Sequence, residues 1–265
     1  PSTIVLNNPE LINDVPIIYG NNDEEGVSFL SATTLSSSDW IPKNTWTYSD
    51  YKSWLTLNFP VHYELIEQEY KTMFIGNDGN GNDQSLSPPR PWFVAQRIVG
   101  DFMLFCPGRR SAKALTNVDE PAIPRVHNVY EYMFDHVPIG TSNHGAFHGA
   151  EIAFVFNDLK QANDEGEYQL GQSMAYMWSM FAKFGNPTPS STNQPPPPPM
   201  LENKKWMPFP TYIEMDTVNG GALEFKTNLR SVYCENVWDT IRIETPPEGT
   251  NDNNNAKNVS IAVGV

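Results

Sequence analysis

Apolar positions along the chain gather into a few patterned segments separated by long polar stretches. The run at 15–19, with Ile17, Ile18 and Tyr19 at its core, has the length and β-branched content of a buried strand. Gly20 to Asp23 punctuate it, Glu24, Glu25 and Gly26 follow, and a second apolar stretch covers Val27 to Leu30. Residues 50–55 and 63–74 each suit a helix, and 76–91, dense in Gly, Asn, Asp and Pro, reads as a loop. Over 92–116, Val94, Ile98, Val99, Phe102, Met103 and Phe105 recur at helical spacing. That predicts one long helix with Cys106 on its buried side and a bend at Pro107-Gly108. Residues 128–134 are rich in Val, Tyr and Phe and alternate in part, so they read as a strand; 138–149 is a loop and 150–156 a short helix.

The clearest helix lies at 166–184, where Leu170, Met174, Met177, Trp178, Phe181 and Phe184 form an apolar stripe. Gly185 is placed to cap it and Pro187 stops it from continuing. Residues 187–204, with prolines from 195 to 199, read as an exposed extended linker, an SH3-type ligand being the less favoured alternative. A short strand is expected at 212–218 and a C-terminal helix over 223–243, with Cys234 and Trp238 in it. Residues 1–244 read as one unit and 245–265 as a loose Asn-rich tail. Strands separated by long helical insertions indicate the α/β class. An acidic loop after one strand and a histidine loop after a later one is how sites are built at the carboxyl ends of a parallel sheet.

Composition narrows the function. A hydrophobic content of 39% and an aromatic content of 12% exclude disorder. No eighteen-residue apolar run is present, so no transmembrane segment is expected. Residues 1–11 lack the basic start and apolar run of a signal peptide. Seventeen basic against thirty-one acidic side chains leave a formal charge of −14, the wrong sign for a nucleic-acid binder. The balance suits a protein acting on neutral or cationic small molecules. Two cysteines make no zinc site by themselves; one long-range disulfide in a secreted protein and two unrelated buried thiols both fit. Asn258-Val259-Ser260 is a glycosylation sequon, compatible with secretion.

Of the five histidines, His62 falls on a helix, His127 precedes a strand and His136 ends it. His144 and His148 lie in the following Gly-rich loop, where function concentrates, and both are candidates for a general base. A carboxylate at Glu24 or Glu25 would hold an imidazole's tautomer and stabilise its cation; spacing does not separate the two. A triad hydrolase also needs a serine on a strand-to-helix elbow. The nearest match, Gly171-Gln172-Ser173-Met174-Ala175, lies inside the striped helix with no strand before it, and is rejected. No HGGG-type oxyanion segment is present. The calcium-loop-like start at Asp78, Asn80 and Asn82 fails at its sixth and twelfth positions, Asp83 and Pro89. Arg109-Arg110 reads as a solvated basic pair.

Four stretches, in register over nearly the whole chain, resemble the C-terminal half of the type-B carboxylesterase, cholinesterase and lipase family, an α/β-hydrolase group. Asn22 to Leu30 is similar to the family's acid loop with its D-E-G core. His148-Gly149-Ala150-Glu151-Ile152-Ala153-Phe154-Val155-Phe156 is similar to H-G-x-E-I-x-F-V-F. Trp178 to Pro187 resembles the helix and turn that follow. Gly100-Asp101 with Cys106, and Leu229-Arg230 with Cys234, resemble the flanks of the family's late disulfide. Ala146-Phe147, Ala150 and the proline run depart from cholinesterases, so a fungal-type secreted esterase or lipase is the nearer likeness.

The resemblance implies a mostly parallel sheet with helices on both faces, incomplete without an N-terminal half. It implies a Ser-His-Glu triad with His148 as base and Glu25 as acid, Asp101 being structural and only the reserve acid. It implies a Cys106–Cys234 disulfide and pocket-lining roles for Phe147 and Gly149. The chain order Ser…Glu…His then puts the serine and oxyanion glycines ahead of Pro1, in a partner half. The substrate would be a small-molecule or lipid ester, with no cofactor and no metal, and the location extracellular. A non-catalytic, cholinesterase-like binding or adhesion module is the alternative.

Overall fold

The computed structural model describes residues 13, 15–33, 46–74, 90–116, 128–141, 144–159, 164–190, 194–217 and 223–241. The chain runs β1 (Ile17–Asn22), α1 (Gly26–Thr33), α2 (Tyr48–Asn58) and α3 (Tyr63–Tyr70), the last continued by a 3-10 turn, Lys71–Phe74. Next come α4 (Arg90–Gly100), a π segment (Asp101–Phe105), α5 (Cys106–Thr116), β2 (Val129–Phe134), α6 (Ile152–Val155) and α7 (Glu165–Phe184). A 3-10 turn (Pro199–Leu201), β3 (Thr211–Met215), β4 (Leu223–Thr227) and α8 (Ser231–Tyr233), which runs into a second π segment (Cys234–Trp238), complete it.

The strands form one sheet in the order β1-β2-β3-β4. β1 pairs parallel with β2 and β2 parallel with β3, while β4 returns antiparallel to β3. β2 is buried over its whole length. Its alternate side chains serve two cores, as the two-residue period of a strand requires. Tyr130, Tyr132 and Phe134, with Ile213 and Met215 of β3, pack against Leu170, Met174 and Met177 of α7 and against Trp206. On the other face, Val129 packs with Ala112 of α5 and Phe209, and Met133 with Phe105, Tyr212 and Leu229. Helices therefore cover both faces, as expected for the α/β-hydrolase class. A further cluster joins α1, α2, α4 and the second π segment through Leu30, Leu55, Ile98 and Val237.

α7 matches its predicted span. Its N-cap Asp164 accepts the Glu167 N–H at 3.0 Å, and Gly185 closes it in the left-handed region, donating to the Phe181 carbonyl at 2.7 Å. Leu170, Met174 and Met177 are fully buried, each worth about 1.5–3 kcal/mol relative to exposure. The helix expected at 92–116 is continuous and widens to π geometry over its middle, where the Cys106 N–H reaches back to the Asp101 carbonyl. That widening ends two residues before Pro107, which has no N–H to give the ladder.

Three expectations are corrected. Residues 223–227 are a strand, not the start of a helix: Leu223 is buried while its neighbour Glu224 is exposed, and β4 pairs with β3 throughout. The proline-rich stretch is not an exposed linker along its length, because Met200 and Leu201 enter the core and Tyr176 donates to the Pro195 carbonyl. Arg109 is buried and bonds Glu235 at 2.7 Å, and Arg110 bonds Asp239 at 2.8 Å, so the basic pair holds the C-terminal segment. The same junction carries the Cys106–Cys234 disulfide, with both sulfurs in the core. No described helix is long and apolar enough to cross a membrane.

Candidate active site

β1 and β2 end at the same edge of the sheet, Asn22 opposite Phe134, so the turn after β1 and the loop after β2 emerge side by side. The turn is Asp23-Glu24-Glu25, closed by the start of α1 at Gly26. Its three carboxylates point in three directions and do three different things.

Asp23 turns toward the helices. It takes both terminal nitrogens of Arg97, at 2.5 and 2.7 Å, and one of Arg230 at 2.6 Å. Such bidentate, charge-assisted bonds fix a turn firmly. Glu24 turns toward the histidine loop. Its Oε2 accepts the Ala146 N–H at 2.7 Å and its own N–H donates to the Ala146 carbonyl at 3.1 Å, a short parallel bridge between turn and loop. Burial pushes Glu24 up to about 7, with Asp23's charge adding to the rise and Arg97 opposing it.

Glu25 turns toward the imidazole. Its side chain is 6% exposed, Oε1 accepts the Asn22 N–H at 2.7 Å, and Oε2 lies 2.6 Å from Nδ1 of His148. The His148 side chain is 51% exposed, and its ring leans on Phe29 at 4.9 Å between centroids. Among the described residues nothing bonds Nε2. The bond to Glu25 raises the His148 pKa above its ordinary value, burial opposing and the charges of Glu25 and Glu151 adding. A carboxylate on Nδ1 with Nε2 open to solvent is an imidazole held in one tautomer and ready to accept a proton.

The other sequence candidates go elsewhere. His144 closes a turn onto the Thr141 carbonyl, and its ring meets Phe147. His62 is the N-terminal boundary of α3. His136 is buried with both nitrogens engaged, Nε2 with Glu167 and Nδ1 with Thr217, each at 2.9 Å. Glu167 also accepts the Ile139 N–H at 2.8 Å, so this second Glu–His pair fastens the stem of the loop. Asp101, the reserve acid, is fully buried and accepts the Tyr70 hydroxyl at 2.6 Å. Burial pushes it up to about 7. Phe147 and Gly149 border a cavity of about 440 Å³ together with Ile139, Ala153, Phe154 and Leu159. His127 and Asn258 lie outside the described residues. Among the described residues no cluster of three or more His, Cys, Asp or Glu side chains is arranged to hold a metal.

Asn22 was not singled out by sequence reasoning, although it opens the acid motif. It is buried, and its amide donates to the Phe147 carbonyl at 2.7 Å and to Glu151 at 2.5 Å.

A mostly parallel α/β sheet with a Glu–His pair at the carboxyl ends of two adjacent strands is the frame of an α/β-hydrolase. The chain belongs to the carboxylesterase family, whose model matches residues 1–234. It is 25% identical over 193 residues to the crystal protein of Dictyostelium discoideum, an overlap of 66% of this chain and 29% of that one. It is 30% identical over 147 residues to the acetylcholinesterase of Bungarus fasciatus, covering 52% of this chain and 21% of that protein. The chain thus spans under a third of the length of these curated relatives.

Proposed function

We propose that this chain carries the acid and the base of a secreted serine esterase or lipase, Glu25 and His148, and that an upstream segment carries the serine and the oxyanion hole. The observation that carries the reading is the 2.6 Å contact between Glu25 and Nδ1 of His148, with Nε2 unbonded among the described residues. His148 takes the serine proton through Nε2 as the serine attacks the ester carbonyl, then returns it to the departing alcohol. Glu25 keeps Nδ1 protonated and stabilises the imidazolium formed in between. Water, deprotonated by the same nitrogen, releases the acyl group. The oxyanion is held by backbone N–H groups of the upstream segment.

The sheet supports an incomplete domain. Among the described residues β1 has a strand partner on one side only. The N–H groups of Ile17 and Asp23 bond toward β2, so those of Ile18 and Gly20, between them, face the other side of β1. Phe147, next to the base and bordering the cavity, would shape the acyl or alcohol pocket. The disulfide suits an extracellular location.

The test is hydrolysis of p-nitrophenyl esters by the full polypeptide, with and without an organophosphate. We expect turnover that the organophosphate abolishes, and a loss of roughly 10⁴-fold or more in kcat for His148→Ala with an unchanged circular dichroism spectrum. Near-normal activity of His148→Ala overturns the assignment of the base. Absence of turnover in the intact protein overturns the esterase reading and favours a non-catalytic binding module.

A further inference from the structure

The Glu25–His148 contact leaves open what fixes the two backbones that carry it. One buried side chain does so. Asn22, 1% exposed, ends β1, and its peptide N–H points away from β2 and donates to Glu25 Oε1 at 2.7 Å. Its amide nitrogen donates one hydrogen to the carbonyl of Phe147, the residue before His148, at 2.7 Å. The other goes to Oε2 of Glu151, three residues after His148, at 2.5 Å. The orientation of the amide is dictated by its surroundings: a flip would aim Oδ1 at a carbonyl and a carboxylate, neither of which has a hydrogen to give. Oδ1 itself is buried with no hydrogen-bond partner among the described residues, so the amide is held by its two donated bonds.

We propose that Asn22 is a positioning residue. It locks the histidine loop to the acid turn so that Nδ1 of His148 meets Oε2 of Glu25, and it also holds Glu151, whose charge acts on the same imidazole. Asn22 contacts the backbone next to His148 and the carboxylate that orients it, and acts on the reaction only through them. The inference rests on the esterase reading for its effect on turnover, but not for its effect on the imidazole.

The experiment compares Asn22→Ala and Asn22→Asp in the full polypeptide, by pH profiles of p-nitrophenyl acetate hydrolysis and by NMR titration of the His148 ring. Asn22→Ala frees the loop, weakens the Glu25 contact and lowers the His148 pKa. Asn22→Asp keeps the size but has no hydrogen to give the Phe147 carbonyl or Glu151, so it also frees the loop, while its charge beside Glu151 raises the imidazole pKa. The acid limb of kcat moves down in pH for Ala and up for Asp, and kcat falls about 10²-fold in both with KM changed little. Asn22→Ala adds no charge, so a residue without a positioning role would leave the His148 titration of that variant unmoved. An unmoved titration in Asn22→Ala overturns the proposal. An inactive wild type whose imidazole still responds in this way leaves the positioning role standing and removes the esterase reading. Should Asn22→Ala fail to fold, Asn22→Ser, which keeps one donor, replaces it; failure of all three variants to fold overturns positioning in favour of a structural role.

Discussion

Gly26, the residue after the acid, makes a sharp test of how the turn is built. A Cβ at this position would stand 1.7 Å from the carbonyl oxygen of Gln96 and 2.6 Å from its carbonyl carbon. Carbon and oxygen in comfortable contact need about 3.3 Å or more, so Gly26→Ala requires α1 and α4 to separate by roughly 1.5 Å. The obstacle is backbone, and it is backed by Ala95, Gln96 and Ile98, none of which is exposed. Gly100 approaches from the same helix, its own hypothetical Cβ only 3.2 Å from the Gly26 nitrogen. Two effects of opposite sign compete. Helix propensity alone favours alanine by up to about 1 kcal/mol. Overpacking a core typically costs about 1–3 kcal/mol, and the upper end applies where backbone must move. We therefore expect a net loss of roughly 2–3 kcal/mol, read as a fall in the urea midpoint of the purified protein at unchanged slope. Moving the first turn of α1 also carries Glu25 away from His148, so the raised pKa of the imidazole falls back toward its ordinary value. A variant as stable as the wild type, or more stable, would show that the two helices are not in backbone contact and refute the reasoning.

Glu25→Gln should lower kcat by roughly 10³–10⁴-fold, because an amide does not stabilise an imidazolium. The sign of its pH effect follows from the cause of the shift: the bond to Glu25 is the largest factor raising the His148 pKa, so its removal keeps the ring neutral to lower pH and moves the acid limb of the activity profile downward. An unmoved limb contradicts that. The double variant Cys106→Ser with Cys234→Ser removes a crosslink between residues 128 positions apart. The chain-entropy model assigns such a loop about 4–5 kcal/mol. A large fall in the urea midpoint is expected, matched by dithiothreitol treatment of the wild type, and a midpoint insensitive to both would deny the bond a stabilising role.

What the sequence made legible and what it hid divide along the range of the interactions involved. α7 could be read because its stripe, its Gly185 cap and Pro187 are all local. β4 was lost because Leu223 and Phe225 give only two apolar beats before the helical Cys234 and Trp238 segment, and its burial depends on pairing with β3. Arg109 was misread as solvated because its partner, Glu235, lies 126 residues on. Asn22 and His136 went unread for the same reason: their partners, Phe147 and Glu167, are far along the chain. The hardest ambiguity was between Glu24 and Glu25, equivalent by spacing and adjacent in one turn. In the fold they diverge, Glu24 onto the Ala146 backbone and Glu25 onto the ring. What separates them is Gly26. Only a residue without a Cβ fits beneath the Gln96 carbonyl, which fixes where α1 begins and therefore which carboxylate is the last of the turn and turned toward the loop. The glycine that follows Glu25 is thus a packing requirement that decides which carboxylate meets the ring, and a sequence with the glycine one place earlier would offer Glu24's position to the imidazole instead.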